Sequence, residues 1–281
     1  VKDVHHVRIY YDDQMYGGHP NRGGIWNFGD GEIAVAYMAV PMGYHVMREG
    51  QGVNWSRHCG GPRSMWGHHE RWGGESGVIM SRSFDSGETW PDDERQWIWN
   101  NNRTIDETLD WLRPRDIGER EEIDLGDHDS IIHFCEAESS VKFPIGGSSN
   151  QPNEGINFHL GKPKHCVSFC VRSTDRGRTW ETVPTRVSPP PGFNFVAIDG
   201  AAPIQFPDGT LVVPAWLDNR NTGGPSAFSG AIFALYGSDD QGLAWKYMAE
   251  VVRDPTIRGR PCYANLLLLP NGRLQCYFNN L

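Results

Sequence analysis

The chain has 281 residues, a length that suits one large domain or two small ones. It carries 26 Lys and Arg against 35 Asp and Glu, a formal charge of −9, which argues against bulk binding to a phosphate backbone. With 22% charged and 38% hydrophobic residues the composition is globular and not disordered. The longest apolar run, Leu266-Leu267-Leu268-Leu269, is far too short to span a membrane.

Gly and Pro number 33 and 19, a turn-rich composition typical of all-β folds. In chain order, His5 to Tyr10 reads as a strand. Asp30-Gly31 sits between apolar runs as a hairpin turn. Residues 77–82 form a strand that enters Ser83-Phe84-Asp85-Ser86-Gly87-Glu88-Thr89-Trp90. Asp106 to Leu112 has helical spacing and is stopped by Pro114. Residues 166–172 then lead into Ser173-Thr174-Asp175-Arg176-Gly177-Arg178-Thr179-Trp180. Asp208-Gly209 repeats the hairpin signal. Residues 231–237 enter a third copy, Ser238-Asp239-Asp240-Gln241-Gly242-Leu243-Ala244-Trp245, and Asn271-Gly272 closes the series.

The repeat S-x-D-x-G-x-T-W, with Ala244 in place of Thr in its last copy, has a physical reading. Asp bonds nearby backbone N–H groups, Gly supplies a positive φ, and Trp anchors the turn on the sheet. Six cysteines (Cys59, Cys135, Cys166, Cys170, Cys262 and Cys276) include no CxxC pair and read as buried thiols, with one or two disulfides open as an alternative. Cys166 and Cys170 share one face of a strand.

The three motifs resemble the Asp-boxes, or BNR repeats, of the sialidase (neuraminidase) superfamily. The resemblance implies an all-β fold, a β-propeller of four-stranded antiparallel blades, with each Asp-box between strands three and four and each DG or NG turn between strands one and two. Blade one then covers residues 19–99, blade two 115–187 and blade three 197–252, and blade four begins near Arg260 and stops after its second strand. Three and a half blades do not close a ring. Residues 1–281 are therefore expected to form a single β-propeller domain, incomplete at the C-terminus and six-bladed when whole. The chain opens on Val1, so a processed N-terminus or a fragment is expected.

In that topology the tight turns share one face and the long connections, 41–76, 136–164 and 218–230, share the other, where the site is expected. The Asp-box aspartates are structural. Sialidases hold the substrate carboxylate with an Arg-Ile-Pro at the position of Arg22, where Gly23 and Gly24 replace Ile-Pro. Their acid/base Asp falls in the loop Gly67-His68-His69-Glu70-Arg71-Trp72. No Asp occurs between Met38 and Phe84, so Glu70, Glu75 or a histidine, His68 or His69, must substitute. Asp199, Arg220 and Arg260 stand at further strand ends facing the channel, and Tyr263 is an acid, base or stacking candidate. Sialidases also keep a Glu near Tyr263 and an Arg near Asn279, and neither is present. Trp26, Trp55, Trp66, Trp72 and Trp216 lie on or near the loop face; exposed indoles there would stack on sugar rings, though buried indoles are commoner.

No P-loop, GxGxxG, HExxH or G-x-S-x-G motif occurs, and no metal or cofactor is expected. The leading expectation is a sialidase-like glycoside hydrolase, an exo-glycosidase acting on a terminal acidic sugar of a glycan. Arg22 with Arg220 or Arg260 holds the carboxylate, Trp72 contacts the substrate, and Glu70, His68 or His69 moves the proton. Asp199 orients or activates. A retaining nucleophilic Tyr would lie beyond Leu281. Two other readings stand beside it: a propeller polysaccharide lyase using His69 and Tyr263 on a uronic acid, and a non-catalytic glycan- or protein-binding propeller. The expected partner is a glycan or acidic sugar, with no nucleic acid and no membrane span. Secretion or a periplasmic location follows from the resemblance alone.

Overall fold

The computed structural model describes residues 5–12, 15–18, 24–40, 77–100, 110–113, 115, 118–138, 166–193, 195–198, 202–218, 232–253 and 261–280. They fall into two compact units, Val1–Asn102 and Arg103–Leu281.

The first unit contains one antiparallel sheet of β1 (Tyr16–Gly18), β2 (Gly24–Asn27), β3 (Ile33–Val40), β4 (Gly77–Ser83) and β5 (Gln96–Asn100). β4 pairs with one edge of β3, and β1 and β2 share the other. Gly18 stands opposite Met38 and Gly24 opposite Ala36, so residues 19–23 are inserted between nearby ladder positions. The innermost strand thus begins at Tyr16, upstream of the expected start, and is split in two. β4 is buried along its whole length, which is why its sequence shows no apolar–polar alternation. One face packs Val35, Tyr37, Ala39 and Ile79 against Trp90 and Trp97. On the other, the Arg82 guanidinium and the Glu32 carboxylate form a fully buried pair at 2.9 Å.

His5 to Tyr10, expected as an extra strand of the closing blade, pairs with no strand among the described residues. Its anchor is aromatic: the Tyr10 ring lies 5.1 Å from that of Tyr37 and fills the space over Gly17, where a Cβ would stand 2.4 Å from it. The Arg95 guanidinium covers the same ring at 4.6 Å.

The second unit holds three sheets. The first is β6 (Ile131–Glu138), β7 (Cys166–Ser173) and β8 (Thr185–Val187). The next is β9 (Phe195–Ala197), β10 (Ile204–Gln205), β11 (Leu211–Asp218), β12 (Ile232–Ser238) and β13 (Lys246–Val252). The last is the pair β14 (Pro261–Leu268) and β15 (Leu274–Asn280). Here too the innermost strand of the large sheet is split: Ala197 faces Trp216 and Ile204 faces Val212, with 198–203 between them.

The β6–β8 sheet has three strands among the described residues, one fewer than expected. The backbone where a fourth would lie is held by side chains. The Ile123 N–H donates to Gln241 Oε1 at 2.9 Å, and the Leu125 N–H to Gln205 Oε1 at 2.6 Å. Both glutamines belong to the neighbouring sheet, and the two sheets share one core. Ile132, Phe134, Cys170 and Val187 pack with Val196, Val213, Ile232, Tyr236 and Trp245. Each fully buried side chain of this kind contributes about 1.5–3 kcal/mol. Of the stretch expected to be helical, Asp110 and Trp111 have helical backbone and the residues before them lie outside the described set.

The hairpin turns follow their sequence signals closely. Asp30, Asp208 and Asn271 each accept, through Oδ1, the N–H of the residue two positions on, at 3.0–3.1 Å. Between them Gly31, Gly209 and Gly272 take φ of 94°, 86° and 77°. The three longer turns repeat atom for atom. Ser83, Ser173 and Ser238 donate Oγ–H to the aspartate at 2.7 Å. Each serine also accepts the glycine N–H, at 2.8, 2.8 and 2.7 Å. The aspartate Oδ1 accepts the N–H of Thr89, Thr179 or Ala244 at 2.8 Å. Thr89 and Thr179 add a hydroxyl bond to Oδ2 at 2.6 Å, which Ala244 has no atom to make. The Thr89 hydroxyl, with the backbone and Ser83 bonds, lowers the Asp85 pKa to about 2. Burial pushes Asp175 up, but the bonds from Thr179 and Ser173 outweigh it and its pKa is lowered.

Two buried polar groups stand out in the second unit. Arg172 is 1% exposed and donates to Glu181, to the Gln241 carbonyl at 2.8 Å and to the Glu121 carbonyl at 3.0 Å. Arg120 grips the same carboxylate from the other side. His133 on β6 is 2% exposed; its Nδ1–H donates to the Phe134 carbonyl at 2.8 Å, and burial lowers its pKa to about 4. Among the described cysteines Cys135, Cys170 and Cys276 are free thiols, and burial pushes Cys170 up to about 12. The first two are buried, as expected of small hydrophobes.

Candidate functional site

In each large sheet the tight turns and the long connections lie at opposite ends. Ile33 faces Ser83 at the turn end of β3 and β4, and Ala39 faces Gly77 at the other. Residues 41–76 bridge that second end and contain His68, His69, Glu70 and Trp72. In the β9–β13 sheet Leu211 faces Ser238 at the turn end and Leu217 faces Ile232 at the far end, where 219–231 with Arg220 connect the strands. Arg22 falls in the split between β1 and β2, and Asp199 in the split between β9 and β10. Arg260 immediately precedes β14, whose first residue faces Asn280. Tyr263 lies in β14 by its backbone.

Arg22, His68, His69, Glu70, Trp72, Asp199, Arg220 and Arg260, and the side chain of Tyr263, lie outside the described residues. So do Trp55 and Trp66. At the loop end of the second unit two aromatic pairs are described. Phe195 packs edge-on against Trp216 with centroids 5.0 Å apart, and Phe233 stacks on Phe278 at 5.4 Å. Both pairs lie at the loop end of their sheet and seal the core beneath it. Trp216, placed by the sequence on or near the loop face and open to either reading, is 1% exposed and offers no stacking surface. It serves this seal because its strand is covered on both faces. Rigid strand ends of this kind hold functional loops in register.

The turn end has its own concavity, which sequence reasoning did not anticipate. A pocket of about 240 Å³ is lined by Glu121, Arg172, Thr174, Thr179, Trp180 and Glu181, among others. Its charged and hydroxyl-bearing groups are largely engaged with one another, while the buried Trp180 Nε1–H has no hydrogen-bond partner among the described residues. Thr179 bonds Asp175, Thr174 bonds Glu121, and Glu181 accepts from Arg172 and Arg120. The pocket is thus an ion-pair crevice with no reactive group left over. Its only sequence signal is an Arg immediately before the motif serine, shared by Arg82 and Arg172. Among the described residues no group of three or more His, Cys, Asp or Glu side chains is placed to hold a metal ion. No described helix is long and apolar enough to cross a membrane.

No family model matches the chain, and no curated protein matches it in sequence. Solved structures do match. A protein of unknown function from Dyadobacter fermentans aligns over 97% of this chain and 64% of its own, with TM-score 0.56 and 16% identity. A leech intramolecular trans-sialidase, complexed with 2,7-anhydro-Neu5Ac, aligns over 99% of this chain and 50% of its own, with TM-score 0.56 and 14% identity. The NanB sialidase of Streptococcus pneumoniae aligns over 98% and 50%, with TM-score 0.53 and 13% identity. The chain therefore spans about two thirds to one half of the structures it resembles. Its fold is that of the sialidase β-propellers, built of antiparallel blades.

Proposed function

We propose that the chain is part of a sialidase-like glycoside hydrolase acting on a terminal acidic sugar, and that its three repeated turns are Asp-boxes. The observation that carries this is the split innermost strand. Both large sheets open it part-way along, opposite Tyr37 in one and opposite Val213 to Ala215 in the other, and the insertions hold Arg22 and Asp199. An arginine there suits a bidentate grip on a sugar carboxylate. The acidic sugar held by the leech enzyme supports this substrate class. Arg220 or Arg260 supplies a second cation, Trp72 a stacking face, and Glu70, His68 or His69 the proton. Asp199 and Tyr263 complete the channel mouth.

A specific departure favours a second reading. The family's Glu near Tyr263 and Arg near Asn279 are missing, and residues 39–83 contain no Asp. That pattern suits a lyase using His69 and Tyr263, or a propeller that binds glycans without cleaving them. The deciding experiment offers aryl sialosides and uronate polysaccharides side by side, with wild type and Arg22→Ala. Free sialic acid, lost by about 100-fold or more in kcat/KM on Arg22→Ala, establishes the hydrolase. Unsaturated uronate establishes the lyase. Glycan binding without turnover rejects both catalytic roles.

A further inference from the structure

The pocket beside the second repeated turn has a wall that the turn itself does not require. After the motif serine the three copies carry Phe84, Thr174 and Asp239, and after the tryptophan Pro91, Glu181 and Lys246. Only the second copy pairs a hydroxyl with a carboxylate, and Glu121 joins them in the lining. The bonds already made decide what this wall still offers. Glu181 is saturated, because each of its oxygens accepts from both Arg172 and Arg120. Thr174 donates to Glu121 Oε2, and Thr179 donates to Asp175 Oδ2 at 2.6 Å, so both hydroxyls keep only lone pairs for a visitor. Glu121 is exposed, and among the described residues it forms no ion pair and its Oε1 accepts no bond.

One donor stands among these acceptors. Trp90 Nε1–H is satisfied by the Gly87 carbonyl at 2.9 Å, and Trp245 Nε1–H by Cys170 Sγ at 3.3 Å. Trp180 Nε1–H is buried and has no acceptor among the described residues. The half-buried Trp180 ring is thus not pinned through its edge as its two counterparts are. Its N–H has already lost water, so an acceptor supplied by a ligand gains the bond without that cost. A ligand for this wall must donate several hydrogen bonds and accept one. An ammonium or guanidinium has nothing to accept with, and a carboxylate has nothing to donate and meets the Glu121 charge. A hydroxyl does both, and a ring bearing several hydroxyls also suits an indole neighbour. The pocket, about 240 Å³, holds roughly eight waters at ~30 Å³ each, which is room for one such ring and not for a chain.

We propose that this pocket binds one neutral sugar ring. Glu121, Thr174 and Thr179 accept from its hydroxyls, and Trp180 Nε1–H, after a slight turn of the indole, donates to one of them. The pocket lies at the turn end of the β6–β8 sheet, where Ile131 faces Ser173, and residues 139–165 connect the strands at the other end. A sugar held here leaves the loop end free, and the Glu121 charge selects against the acidic sugar proposed for that end. The inference requires no activity of the loop-end residues and stands or falls apart from them.

The test uses the 281-residue chain with isotope-labelled tryptophan and follows its indole N–H signals by NMR. The signal lost in Trp180→Phe is the one that reports on the pocket. The methyl glycosides of galactose, glucose and mannose are added in turn, with N-acetylneuraminic acid and methylammonium as charged probes. A ring this small binds at about millimolar strength, so at least one glycoside should move the Trp180 signal and saturate it by about 50 mM. Glu121→Gln, a change at an exposed position, should weaken that glycoside about threefold to tenfold. Both charged probes should leave the Trp180 signal in place. A Trp180 signal unmoved by all three glycosides at about 50 mM overturns the proposal. So does saturation by either charged probe, or an affinity that Glu121→Gln leaves unaltered.

Discussion

Acid should unfold this protein first through His133. The imidazole is buried beside the Phe134 carbonyl, and its pKa falls from 6.5 to about 4 on folding. The unfolded chain therefore binds a proton that the folded chain refuses between those values. The stability this confers is complete above pH 6.5 and is lost as pH falls towards 4. The whole displacement corresponds to about 3 kcal/mol, of which about 2 kcal/mol is gone by pH 5. Asp85 and Asp175, with lowered pKa values, act only below about 3.8, and Glu181 only below about 4.5, so the windows separate. Urea unfolding followed by Trp fluorescence at pH 7 and pH 5 measures the loss directly. His133→Phe removes the titration whatever it does to stability at neutral pH, and should flatten the slope by about 2 kcal/mol between the two conditions. Parallel pH slopes for the two proteins would refute the reasoning.

Other outcomes follow from the same geometry. Thr89→Ala and Thr179→Ala each remove a hydroxyl bond to Asp Oδ2 and should cost about 0.5–1.5 kcal/mol, whereas Ala244→Thr should gain a similar amount in thermal unfolding. Asp85 holds its turn above pH 3.8 and releases it as pH falls through about 2, a change readable in the Trp90 signal. Arg172→Ala leaves the Glu181 carboxylate half-compensated and two carbonyls without their donor, and should cost about 3–5 kcal/mol in chemical denaturation. Iodoacetamide at pH 8 should label the half-buried Cys276 faster than the fully buried Cys170; burial raises the pKa of both thiols, so what separates them is access.

The sequence spoke most clearly where local chemistry decides. DG and NG turns and the S-x-D-x-G motif are complete within eight residues, so the aspartate's bonds to backbone N–H groups and the glycine's positive φ were legible, whereas the bonds of the serine and threonine hydroxyls were not. Burial on both faces hid other features. Trp216 stayed open between a stacking platform and a buried indole because nothing in its neighbourhood announces the cover from Phe195. The missing strand before β6 was illegible for another reason: its hydrogen-bond partners are Gln205 and Gln241, remote glutamines with no motif. His5 to Tyr10 alternates like a strand, yet its contacts are made by rings and not by a ladder. The candidate site was legible as a set of residue types at strand ends. Its convergence depends on long connections, whose paths no short-range rule dictates.

Those two glutamines also impose an order of events. A ladder strand finds its partners from its own hairpin within microseconds, whereas the amides of Ile123 and Leu125 must wait for side chains 118 and 80 positions away. During synthesis from the N-terminus, these two bonds cannot form until the chain has been made as far as Gln205 and Gln241. The wait is built into the chain by two amide side chains.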